Sequence, residues 1–201
     1  MSGRLYAKTL DRALTPHGFV RDGLDWVRIR DGFEEVVNLQ PSWQGGRTVN
    51  LYIRDLATDR IYREIFGPDG KGRMQPAYQR LATLVHKRDH FWGDEPNGPS
   101  EMAELTVAHG LPWFDRVRTL EDQATIWYGR NIVRAPGDYT FDMIGLALTL
   151  YRMGETEEAC TLLNRPVPKT AIPAMVRDVA RLKEWLGCGG RMRRCDDVDG
   201  D

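Results

Sequence analysis

Across 201 residues, 28 Lys and Arg stand against 29 Asp and Glu, leaving a formal net charge of −1. That balance supplies no overall basic field for a phosphate backbone, which disfavours nucleic acid as a partner, and the length suffices for one sizeable core without a disulfide staple. Three cysteines, Cys160, Cys188 and Cys195, are few and odd in number; the expectation is a cytoplasmic protein in a reducing compartment, with Cys188 and Cys195 as free thiols of the tail.

The N-terminal MSGRLYAKTLDRAL is charged throughout and lacks an apolar h-region, and no uninterrupted apolar run reaches membrane-spanning length. Neither export nor membrane insertion is expected. Ser2 can cap a first helix in which Tyr6, Leu10, Ala13 and Leu14 recur at helical spacing, and Pro16 with Gly18 ends it.

From Gly18 to Asp55, runs rich in Val, Ile, Trp and Phe are separated by Asp22-Gly23, Asp31-Gly32 and Gly45-Gly46. Asp-Gly tolerates the positive φ of a tight turn, so the stretch reads as antiparallel strands. A two-residue turn at Asp31-Gly32 sets Arg30 opposite Phe33, Arg28 opposite Glu35, Trp26 opposite Val37 and Leu24 opposite Leu39. Alternation then puts Leu24, Trp26, Val37, Leu39, Val49, Leu51 and Ile53 on a core face that the first helix is expected to cover. Asp25, Val27, Val36, Asn38, Gln40, Asn50, Tyr52 and Arg54 share the other face, too polar to bury without partners and too apolar to be idle surface.

Ala57 to Phe66 is open between strand and short helix, and GPDGKG at 67–72 is a loop without the spacing, Lys-Ser/Thr or helix of a phosphate-binding loop. Arg80 to Trp92 is a helix by propensity, yet Leu81, Thr83 and Val85 alternate like a strand, and the expectation is a fifth strand. GDEPNGPS at 93–100 is the candidate boundary. Ser100 can cap a helix ending at Gly110, and Thr119 with Asp122 approximates a capping box for a helix through Tyr128. The last third is helical: Phe141, Ile144, Leu148 and Tyr151 form one stripe, Gly154 a stop, Ala159, Leu162 and Leu163 a second helix, and Ile172, Met175, Val179, Leu182 and Leu186 a third. The first two resemble a single tetratricopeptide-type hairpin, but one copy lacks the neighbours a solenoid needs.

The fold class is therefore α+β: an N-terminal helix packed on an antiparallel sheet of four to five strands, followed by a helical C-terminal third. The organisation expected is an α+β sheet domain over 1–128, a helical hairpin extension packed on it over 129–188, and a disordered tail over 189–201.

Spaced short motifs run through this frame: Leu14 to Gly18-Phe19, Trp26-Val27-Arg28, Val37-Asn38-Leu39-Gln40 with Ser42, Val49-Asn50-Leu51, Arg80-Leu81 with Leu84, Asp89-His90-Phe91-Trp92, and Leu111-Pro112-Trp113-Phe114. With them, residues 5–127 resemble the bacterial family catalogued as domain of unknown function 4304, with Ala82 and Phe91 standing where glycine and tryptophan are expected. The resemblance implies the fold and supplies no reaction.

No chemistry stands out. His86 and His90 would share a helical face but are half a metal site, without the Glu of a zinc-protease helix. Cys188 and Cys195 lack CxxC spacing, and Asp197 and Asp199 mimic a calcium loop with Cys195 at its first ligand position. Ser42 has no assigned base. Glu34, Glu35, Asp89 and Asp115 can be read as an acid/base set, or as surface groups and partners of Arg28 and Arg80. No catalytic residue, metal or cofactor is assigned. Of six tryptophans, Trp43 beside Gly45-Gly46 suits a partner contact.

Two functions follow. The first is a non-enzymatic protein-binding protein, an adaptor or an immunity-type neutraliser, using the polar sheet face (Asn38, Gln40, Asn50, Tyr52, Arg54) and the Trp43 loop; its partner is another protein. The alternative is a small-ligand binder or enzyme with a cleft between sheet and helices, lined by Gln40, Ser42, Arg80, Asp89 and Trp92. The balance is against an enzyme.

Overall fold

A computed structural model describes residues 3–42, 45–67, 77–93, 95–129, 139–166 and 173–190. Ser2, Trp43, Ile172, Cys195 and most of the predicted tail lie outside the described residues. Packing divides the chain into two compact units, residues 1–53 with 78–118, and residues 54–77 with 119–201.

The first unit is built on a five-stranded antiparallel sheet in chain order, β1 (Val20–Asp22), β2 (Asp25–Arg30), β3 (Phe33–Pro41), β4 (Arg47–Asp55) and β5 (Ala77–Arg80). The register read from Asp31-Gly32 holds: Arg30 faces Phe33, Arg28 faces Glu35 and Trp26 faces Val37. Positive φ at both turn residues, 51° at Asp31 and 82° at Gly32, is the twist that lets two residues close a right-twisted hairpin. Trp26, Val37, Leu39, Val49, Leu51 and Ile53 are all buried, as their alternation requires.

Leu24 is a correction. Asp22 pairs with Asp25, so the turn is Gly23-Leu24, and Leu24 stands 45% exposed in it instead of on the core face.

Helix α1 (Gly3–Leu14) buries Tyr6, Leu10 and Leu14, and its Asp11 carboxylate accepts the Trp26 indole N–H at 3.0 Å. Over the same core face comes a helical run of α4 (Gly98–Leu105), a π-helical turn at Thr106–Gly110 and α5 (Leu111–Arg116). Gly110 packs close to the sheet: a β-carbon there would stand 3.2 Å from Leu51 Cδ2, so the leucine would have to give by a few tenths of an ångström. Helix α4 starts at Gly98 with Pro99 in its first turn and no side-chain cap, so Ser100 lies inside it and does not cap it. Because α4 and α5 belong to the same unit as the sheet, the stretch at 93–100 is a connection within that unit and not a boundary.

The predicted strand from Arg80 to Trp92 is also corrected. β5 ends at Arg80, and Leu81–His86 is a short helix, α3, that buries Leu81 and Ala82. Six residues are too few to separate a period of 2 from one of 3.6, and adjacent buried positions favour the helix. Only Trp92 pairs like a strand, exchanging hydrogen bonds with Arg47 at 2.7 and 2.8 Å.

The second unit is helical. Helix α2 (Leu56–Phe66) is capped by Asp55, whose carboxylate accepts the Thr58 N–H at 2.7 Å. The Thr119/Asp122 capping box forms reciprocally, at 3.0 and 3.2 Å, ahead of α6 (Leu120–Gly129). Helices α7 (Tyr139–Arg152), α8 (Thr156–Leu163) and α9 (Pro173–Leu186) follow. Ile144, Leu148, Tyr151, Ala159, Leu162, Leu163, Val179, Leu182 and Leu186 are buried, as their spacing predicts.

Cys188 is not a free thiol: it forms a disulfide with Cys160 of α8. Sequence spacing does not reveal which cysteines meet in a fold. Among the described residues no helix is long and apolar enough to cross a membrane.

Candidate functional site

On the sheet face opposite Trp26 and Leu51, polar side chains from successive strands join in one hydrogen-bonded chain. Asn38 Nδ2 donates to Asp25 Oδ1 at 2.5 Å, and Asn50 Nδ2 donates to Gln40 Oε1 at 2.7 Å and to Asn38 Oδ1 at 3.3 Å. Arg80 Nε reaches Asn50 Oδ1 at 3.4 Å, and its guanidinium is 2.9 Å from Asp89 Oδ1. Side chains that share a face on neighbouring strands meet in this way because the pleat repeats every two residues. Asn50 is buried, Asn38 and Arg80 are half-buried, and Gln40 and Asp89 are exposed.

Beside the chain, Tyr52 meets Tyr78 of β5 edge-to-face at 5.9 Å, and the Arg80 guanidinium lies 5.7 Å from the Phe91 ring centre. Burial, with Tyr78 and Asp25 nearby, raises the Tyr52 phenol above its usual pKa, against a hydrogen bond from Asn50. Val20 faces Val27, and Val27 faces Val36. Those three valines form an apolar row on the same face, open to solvent at Val20.

Of the residues singled out in the sequence, Asn38, Gln40, Asn50, Tyr52, Arg80 and Asp89 come together. Ser42 stands at the strand exit, its N–H bonded to the Gly46 carbonyl at 3.1 Å. Arg54 is buried with the helical unit, its Nε 3.8 Å from Asp59. Trp92 is 1% exposed and supports its neighbourhood from within, packed edge-on against His90 at 4.8 Å. Trp43 lies outside the described residues. Tyr78 carries no signal in the sequence, since a strand of four residues has no periodicity to read.

A second cluster closes the β2–β3 hairpin. Glu35 is fully buried, and both its oxygens are taken: Arg28 Nε donates to Oε2 at 2.8 Å, while Arg30 Nη2 and Arg118 Nη1 each donate to Oε1 at 3.0 Å. Arg30 also meets Asp115 at 2.6 Å, and Arg118 meets Asp31. Both Glu35 oxygens are already engaged by guanidinium N–H groups in a buried position, so the acid/base reading of Glu35 and Asp115 gains no support from this geometry. His86 and His90 lie with ring centres 5.3 Å apart. Among the described residues no group of three or more His, Cys, Asp or Glu is placed to hold a metal ion.

An antiparallel sheet covered by helices on one face, with an amide and aromatic array on the other, defines an α+β protein. The family model described as a domain of unknown function, DUF4304, matches residues 10–116, and the chain belongs to that family. No curated protein and no solved structure matches it.

Proposed function

We propose that this is a non-enzymatic protein-binding protein, an adaptor or immunity-type neutraliser, that engages another protein through the outer face of its sheet. The observation that carries the reading is the hydrogen-bonded chain from Asp25 through Asn38 and Asn50 to Arg80, with Tyr52 and Tyr78 alongside. Side chains held by their neighbours lose little rotamer freedom on binding, and Tyr and Arg are the residues that anchor interfaces. The exposed Val20 and half-buried Val27 and Val36 add apolar area next to these polar anchors. We further propose a bacterial cytoplasmic setting: three cysteines in 201 residues are few for a stapled secreted scaffold, and among the described residues they form a single disulfide, Cys160–Cys188.

The test is affinity capture with the full chain, followed by calorimetry on each purified partner. Tyr78→Ala and Gln40→Ala change exposed groups and are expected to weaken a specific partner at least about tenfold, while Lys8→Ala on α1 leaves binding intact. A partner bound equally by all three variants would place recognition elsewhere.

A further inference from the structure

We propose that the Cys160–Cys188 disulfide is a reversible, thiol-sensitive latch that holds the end of α9 on the helical unit. The two cysteines are unequally buried. Cys160 is buried within α8, whereas Cys188 is half-buried in the glycine-rich turn just past α9, where its N–H bonds to the Lys183 carbonyl at 2.9 Å. A thiolate from solvent therefore reaches Cys188 Sγ first, and Cys160 is the leaving group.

The bond sits at the far end of its helix, which makes it a latch and not a staple through the core. The rest of α9 is held by Val179, Leu182 and Leu186 and by Trp185, which lies edge-on to Tyr151 at 5.2 Å and donates to Glu64 Oε1 at 3.3 Å. Beside these contacts is a groove of about 340 Å³ lined by Glu64, Ile65, Arg181, Glu184 and Trp185. Opening the disulfide removes the covalent cross-link between this end and α8 and leaves the α7–α8 packing in place, so α9 loosens over the groove first.

The chemistry balances with a dithiol as reductant. One thiolate of the dithiol attacks Cys188 Sγ, the Cys160–Cys188 bond breaks, and Cys160 leaves as a thiolate that takes up a proton. The second dithiol sulfur attacks the mixed disulfide and releases Cys188, so the dithiol is oxidised to its disulfide and two electrons pass to the protein.

The experiment uses the full chain equilibrated with oxidised or reduced dithiothreitol. Alkylation under denaturing conditions is expected to label one of the three cysteines in the oxidised sample and all three in the reduced one. Hydrogen exchange over residues 176–188 is expected to accelerate by about tenfold or more on reduction, to return on reoxidation, and to stay fast in both states in Cys160→Ser. Three labelled cysteines after oxidation, or α9 exchange that ignores reduction, would overturn the latch. Equal loss of protection in α9 and in α7 would overturn it as well, by showing a global staple.

Discussion

Gly145 of α7 lies flat against the Trp127 indole of α6: a β-carbon at position 145 would stand 2.7 Å from Trp127 Cζ2. Trp127 is fully buried, so its indole could move only by displacing its neighbours. Gly→Ala inside a helix ordinarily gains about 1 kcal/mol, but overpacking a closed core costs about 1–3 kcal/mol. Gly145→Ala is therefore expected to lower stability in urea unfolding. Gly129→Ala, where nothing lies within 4 Å, is expected to be neutral or stabilising.

The three arginines around Glu35 are tied together by that one buried carboxylate. Glu35→Gln keeps the volume and removes the buried charge that the three arginines share, leaving Arg30 and Arg118 only their exposed partners Asp115 and Asp31. The expected loss is about 3 kcal/mol, the low end for breaking a buried pair because the arginines are partly solvated. Arg118→Ala is expected to cost less, since Arg28 and Arg30 still hold both oxygens. Equal unfolding midpoints for Glu35→Gln and wild type would count against this ordering.

On the outer sheet face the order of costs follows burial. Trp26→Ala opens a core cavity and is expected to cost about 3–5 kcal/mol. Asn50→Ala deprives Gln40, Asn38 and Arg80 of a buried partner, which costs about 1–3 kcal/mol. Gln40→Ala removes an exposed acceptor and is expected to stay within about 1 kcal/mol. Denaturant unfolding of the three variants ranks them directly. A Gln40→Ala loss as large as that of Trp26→Ala would mark Gln40 as a structural amide and remove the basis for the binding face.

Tyr128 of α6 gives the helical unit a signature at high pH. Burial, and then its hydrogen bond to Glu158, push its phenol up to about 12. Its proton is held more tightly in the folded than in the unfolded chain, so its contribution to stability is complete below about pH 10 and is lost as pH rises through about 12. Tyrosinate absorbance is expected to show a late-titrating phenol that disappears in Tyr128→Phe and titrates earlier in Glu158→Gln.

What could be read before folding was local. The Asp31-Gly32 turn specifies the whole β2–β3 register because a two-residue hairpin closes within four residues, and the Thr119/Asp122 box likewise spans a single helical turn. The C-terminal stripes were legible because several helical turns repeat the same spacing. Leu24 and Leu81–His86 were misread where the signal was one residue or one short window long.

The amino-acid sequence by itself determined an α+β chain, a hairpin of known register, and a sheet with one apolar and one polar face, since each depends on residues within a few positions of one another. Tertiary structure alone decided that Asn50 joins Arg80, that Arg118 reaches Glu35, that Tyr78 stands beside Tyr52 and that Cys160 finds Cys188. Those pairs lie from 26 to 83 residues apart, and no local periodicity or turn preference carries information over such separations; only the packing of whole elements brings them together.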